Sequence, residues 1–198
     1  MSPLNEEQLQ QIRDERKEQI MEAALKVFAR RGIIGTKMSM IATEAGISQG
    51  LLYRYFKSKD ELFTTLVQRA MEESIAGIGS VYKLPGSPIE KIRTLTELIL
   101  DEDGQLYFML MHQARTSDEV PEQAKQLIEQ YSMQTYVDQL EPLFIEGQKA
   151  GEFAAGDPRK LISCYITVLS GLMTLNIHGD EDYQMPEIDI LLRIVSGS

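Results

Sequence analysis

One cysteine, two histidines, no tryptophan and no long unbroken apolar run: the shortages of this 198-residue chain exclude several functions at once. A lone Cys164 rules out an internal disulfide and any multi-cysteine metal site. Its neighbours follow an apolar helical pattern, so it is expected to be a buried small residue. His112 and His178 stand far apart, without an HExxH or another closely spaced ligand set, so no metal or other cofactor is expected. No GxSxG occurs. Gly77-Ile78-Gly79 follows a helical pattern and lacks the third glycine of a nucleotide-binding turn. Asp180-Glu181-Asp182 reads as a solvated loop. These absences argue against an enzyme. The longest apolar region, from Leu161 to Ile177, is interrupted by Ser163, Thr167, Ser170, Gly171, Thr174 and Asn176. It fits a buried interface helix better than a membrane span. Met1 to Gln11 is polar and acidic and lacks the apolar centre of a signal peptide, so a cytoplasmic location is expected, without membrane contact.

What is present is concentrated between Thr36 and Leu62. Met38, Ile41, Ala42 and Ala45 fall at helical spacing and predict a helix of about two turns. Gly46 follows where a helix end favours positive φ, and Ser48 is placed to cap a second helix. A helix, a short glycine turn and a helix make a helix-turn-helix. At about 100° per residue, Gln49, Gly50, Tyr53 and Arg54 share one arc of that second helix, and Leu51, Leu52 and Tyr55 share the other. An amide, a phenol, a guanidinium and a glycine suit DNA. Gln bonds adenine edges, Arg bonds guanine or phosphate, and a tyrosine hydroxyl bonds phosphate. Such residues also occur on ordinary solvated helices, so the surroundings must decide. Ser58-Lys59-Asp60-Glu61 predicts a capping box at the next helix, with Lys59 beside its positive end as a phosphate clamp. Upstream, Ile20, Ala23, Ala24, Val27 and Phe28 form the stripe of a first helix, with Arg30 and Arg31 in its last turn and Gly32 just beyond.

Over roughly residues 14–80 these positions resemble the DNA-binding domain of TetR-family transcriptional regulators. Phe28, Gly32, Thr36, Ile41-Ala42, Ala45-Gly46-Ile47-Ser48, Gly50, Leu52-Tyr53, Tyr55-Phe56, Ser58-Lys59 and Leu62 carry the resemblance. It implies that Thr36, Gln49, Gly50, Tyr53 and Lys59 face DNA, with Tyr53 and Lys59 on phosphates and Gln49 reading a base. Tyr55 and Phe56 are expected to pack. Lys37 departs from the family's small hydroxylated residue, which leaves either Thr36 or Lys37 to begin the second helix. The candidate DNA-contacting set is therefore Thr36, Lys37, Ser48, Gln49, Gly50, Tyr53, Arg54 and Lys59.

Acidity is the apparent objection, because the chain carries a net charge of −10. Residues 1–80 hold 11 Lys/Arg and 11 Asp/Glu, so the whole excess lies in residues 81–198, with 9 and 19. From Lys26 to Lys59 seven bases face one acid, Glu44, a local +6 at the proposed DNA face. Local field rather than total charge attracts a polyanion.

Pro85-Gly86-Ser87-Pro88 interrupts the helical patterning. It suggests an all-α protein with an N-terminal helix-turn-helix domain over 1–82 and a larger helical domain over 83–198, for effector binding and dimerisation. Helices are predicted from Ile89 to Leu100, Gln105 to Arg115, about Glu122 to Ala150 (split or kinked at Pro142), Pro158 to about Ile177, and after Pro186. Gln105 to Arg115 is apolar on nearly all sides and is expected to be surrounded. Leu161 to Ile177 is apolar on more than one face, and a second copy of the chain is its simplest partner. The resemblance agrees, implying a homodimer on a palindromic double-stranded DNA operator. Polar groups among apolar ones suggest either core residues whose polar atoms are satisfied internally, in a protein regulated by a protein partner, or a cavity for an unidentified small-molecule effector, lined by Tyr107, Met111, His112, Arg115, Tyr131 and Thr135.

Overall fold

A computed structural model describes residues 5–177 and 184–197; His178 and the Asp180–Asp182 cluster lie outside them. The described residues form helices and one isolated bridge, between Phe153 and Ser196. In order the helices are α1 (Glu6–Gly35), α2 (Met38–Glu44), α3 (Gln49–Tyr55), α4 (Lys59–Val81), α5 (Pro88–Leu100), α6 (Glu102–Thr116), α7 (Glu122–Gln130), α8 (Met133–Lys149), α9 (Pro158–Ile177) and α10 (Ile188–Leu192). Two compact units result. The first takes in the chain up to Arg69 together with Leu110–Leu127; the second takes in Ala70–Met109 and the chain from Ile128 onward.

The first unit is built on the predicted stripe of α1. Ile20, Ala24 and Phe28 are fully buried, as are Ile41 of α2 and Leu52 of α3, and Phe63 meets Phe28 edge-to-face at 5.1 Å. α1 starts earlier than its apolar stripe. Asn5 and Gln8 cap it reciprocally, at 2.8 and 3.0 Å, a box the polar N-terminus concealed.

In the second unit, Ile92, Leu140, Leu143, Phe144, Ile162, Tyr165 and Val195 belong to one core drawn from α5, α8, α9 and the chain end. Ser87 and Glu90 form a capping box that starts α5 at Pro88, which suits proline's fixed φ and missing amide. The chain end is tied back by Ala154 N to Val195 O and Gly197 N to Glu152 O, both 2.9 Å. Gly147 is obligatory here, because a Cβ would come within 2.2 Å of the Phe153 ring.

Three expectations are corrected. The long helix over 122–150 divides at Tyr131–Ser132, where Ser132 turns extended (φ −72°, ψ 164°), and α8 runs through Pro142. A proline removes one amide donor and crowds the preceding turn, but packing of Leu140, Leu143 and Phe144 keeps the helix continuous. The second correction concerns α6, which is not surrounded: Leu110 and Ala114 are buried, whereas Leu106, Tyr107, Phe108, Met109 and Met111 are half-buried. Its apolar letters run consecutively rather than at one helical spacing, so one face cannot hide them all. Finally, Cys164 is exposed, because Ile162, Tyr165 and Leu169 turn the buried side of α9 away from it.

Candidate nucleic-acid interface

The helix-turn-helix is fixed by local backbone chemistry. α1 breaks at Gly32, whose φ of 68° and ψ of 176° suit a residue without Cβ. Thr36 then closes α1: it is 2% exposed and its hydroxyl donates to the Gly32 carbonyl at 2.6 Å. Its side chain is therefore not part of the exposed face. Lys37 occupies the cap position of α2 in extended conformation, exposed and without a side-chain capping bond. That settles which residue begins the helix. An ammonium can only donate, so it cannot accept from the first amides as serine would.

α2 ends in a Schellman arrangement. Gly46 has φ 63°, its amide reaches Thr43 O at 3.1 Å, and Ile47 N reaches Ala42 O at 2.9 Å. Gln19 of α1 donates to Ala45 O at 2.7 Å and braces the same end, a contact that no local pattern announces. Ser48 caps α3 as predicted, accepting from Leu51 N at 3.2 Å.

α3 divides as its spacing predicts. Leu52 and Phe56 are buried at 0% and 3%, and Leu51 and Tyr55 are half-buried. Gln49, Gly50, Tyr53 and Arg54 are exposed together, with Tyr53 at 45%. A Cβ on Gly50 would meet nothing within 4 Å, so the space above it opens outward. Ser58 accepts from Glu61 N at 3.0 Å, but Glu61 reaches Lys57 N at 2.7 Å, one residue before the expected partner. Lys59 is half-buried and donates to Ile33 O at 2.7 Å, binding the start of α4 to the end of α1 while two further N–H donors remain.

A groove of about 450 Å³ lies between α1 and α2, lined by Val27, Arg30, Arg31, Met40, Thr43 and Glu44. The expected effector residues fall elsewhere. Tyr107, Met111, His112 and Arg115 lie on α6, Tyr131 before α8 and Thr135 within it. His112 and Arg115 are exposed and the other four half-buried. Met111, His112 and Arg115 belong to the first unit, and Tyr107, Tyr131 and Thr135 to the second. Among the described residues no group of three or more His, Cys, Asp or Glu is placed to hold a metal ion.

The capped second helix of this helix-turn-helix presents an amide, a phenol and a guanidinium on one exposed face, a set of groups suited to DNA bases and phosphates. Residues 20–66 match the family described as "Bacterial regulatory proteins, tetR family", to which the helix-turn-helix segment is therefore similar. Among curated relatives, the HTH-type transcriptional activator FasR of Mycolicibacterium smegmatis is 33% identical over 101 residues, covering 50% of this chain and 46% of that protein. The chain thus spans about half the length of the first curated relatives it matches. The fatty acid metabolism regulator protein of Bacillus subtilis is 25% identical, covering 90% of this chain and 93% of its own. The solved structure of the fatty acid degradation regulator FadR from Bacillus halodurans has the same fold, with a TM-score of 0.63 at 22% identity over 89% of this chain and 94% of that one.

Proposed function

We propose that this regulator is a homodimeric repressor, not an enzyme, that binds a palindromic operator in the cytoplasm and is released by a small-molecule effector. The observation that carries the reading is the exposed face of α3, where Gln49, Gly50, Tyr53 and Arg54 stand outward over the buried anchors Leu52 and Phe56. With Lys37, Lys57 and the free donors of Lys59, it gives base-reading and phosphate-binding groups on one short segment.

A homodimer is supported by the outer side of α9. Cys164, Thr167, Gly171 and Leu175 are exposed at helical spacing, and Ile145 of α8 is exposed at 37%. Small residues with an exposed leucine suit a second helix of the same kind. Among the described residues no helix is long and apolar enough to cross a membrane. Effector binding rests on the half-buried Tyr107, Tyr131 and Thr135 of the second unit. Because a relative is named for fatty acid metabolism, fatty acids head the effector screen. Repression rather than activation is the finer point, and the relative named as an activator makes a reporter assay necessary.

The test is fluorescence anisotropy on the DNA flanking the chain's own gene against a scrambled fragment, across a salt series. Preference for the flanking fragment, with two chains per site and steep salt dependence, is expected. Equal, weak binding to both fragments would sink the reading of a local operator.

A further inference from the structure

Three carbonyls around the break in α1 accept from side chains, one from the cap of α1 itself and two from other segments. Thr36 serves Gly32 and Lys59 serves Ile33. The third donor comes from far along the chain: Gln113, near the end of α6, donates Nε2–H to the Ala29 carbonyl at 2.6 Å across 84 residues of sequence. Its other end lies at the break itself, for a Cβ built on Gly32 would stand 2.7 Å from Gln113 Oε1. That oxygen is buried and has no hydrogen-bond partner among the described residues. A buried acceptor without a donor is costly, and an apolar side chain of similar length would avoid the cost. The amide therefore serves the bond to Ala29 and not packing alone.

We propose that Gln113 is a positioning residue for DNA binding: it clamps the end of α1 to α6 and so sets how the helix-turn-helix is presented. This deepens the regulator reading and rests on it. α1 continues through Gly32 and Thr36 into α2, so a shift at Ala29 is passed on within a few residues to the first turn of α2. α6 is one helix whose first turns belong to the second unit and whose last turns, with Gln113, belong to the first.

The test compares wild type, Gln113→Met and Gln113→Glu on operator DNA, each with a thermal unfolding scan. Gln113→Met keeps length and loses the donor, so operator affinity drops about three- to tenfold, the range for one net hydrogen bond, while the unfolding midpoint holds or rises. Gln113→Glu at neutral pH is weaker still, because a carboxylate then faces a carbonyl at the negative end of a helix. Protonation gives that side chain a donor again. Between about pH 8 and about pH 5 its affinity recovers toward wild type, whereas that of Gln113→Met does not. His112, the neighbouring titratable group on α6, is common to all three proteins, and the Met variant controls for it. Equal binding by wild type and Gln113→Met, or one pH profile for both variants, overturns the proposal. Should wild type itself show no site preference, the regulator reading fails separately. The clamp is then read by amide hydrogen exchange over residues 33–37, where faster exchange in Gln113→Met supports it and unchanged exchange overturns it.

Discussion

The two units use their polar side chains in opposite senses. In the first, Gln49, Tyr53 and Arg54 point outward from α3, and the apolar anchors beneath them, Leu52 and Phe56, carry the packing. In the second, the best-buried polar pair points inward. Thr96 is 0% and Tyr165 2% exposed, and their hydroxyls meet at 2.7 Å beside Phe144. An outward group can be exchanged without disturbing the fold, so its chemistry is free to serve recognition. An inward one is bound to stability. Substitutions should therefore separate: the head loses DNA binding first, and the second unit loses stability first.

The largest effect expected is on stability. Phe144 is fully buried and packs on Phe153 at 4.8 Å and Tyr165 at 6.3 Å between ring centres. Phe144→Ala should cost ~3–5 kcal/mol in denaturant unfolding, through lost transfer energy and the cavity left behind. A loss below ~1 kcal/mol would mean that the core collapses onto the gap, and the contrast between the units would weaken. Gln49→Ala is the counterpart in the head. It should leave the unfolding midpoint unchanged and relax preference at one base position by ~1–3 kcal/mol, the value of a bidentate base contact. Competition titrations with single-base operator variants measure it. An equal drop for every sequence would move Gln49 from base reading to general positioning.

The head was legible because its rules are local. Gly46, Ser48 and Ser58 each act within five residues of themselves, and period and capping chemistry find such residues without the fold. What escaped were partners distant in sequence. Gln19 to Ala45, Lys59 to Ile33 and Gln113 to Ala29 each span 26 residues or more, and neither glutamine differs locally from any other surface glutamine. Thr36 failed the other way. Its position suggested a DNA contact, yet the break at Gly32 turns its hydroxyl inward. In the second unit, Pro142 misled because propensity was weighed without the packing that overrides it, and the true break at Ser132 carries no glycine or proline. The exposure of Cys164 depends on which side of α9 meets the core, and two apolar faces in sequence leave that choice open.

The smallest effect sharpens the comparison by pH. Burial pushes the Tyr165 phenol up to about 12 from its ordinary 10.0, partly offset by the Thr96 hydroxyl. A raised phenol pKa means that the folded state keeps a proton the unfolded chain has released. Stability from this group is therefore complete below pH 10.0 and falls as pH rises toward about 12. Within that window its slope approaches ~1.4 kcal/mol per pH unit. Tyr165→Phe removes the slope and costs ~1 kcal/mol at neutral pH for the lost bond to Thr96, whose own hydroxyl still reaches Ile92 O at 2.7 Å. Denaturant unfolding of both proteins at neutral and alkaline pH should show the wild-type advantage shrinking and then reversing as pH climbs. Parallel curves for Tyr165→Phe and wild type would place its hydroxyl in contact with solvent, and the inward half of the comparison would fall.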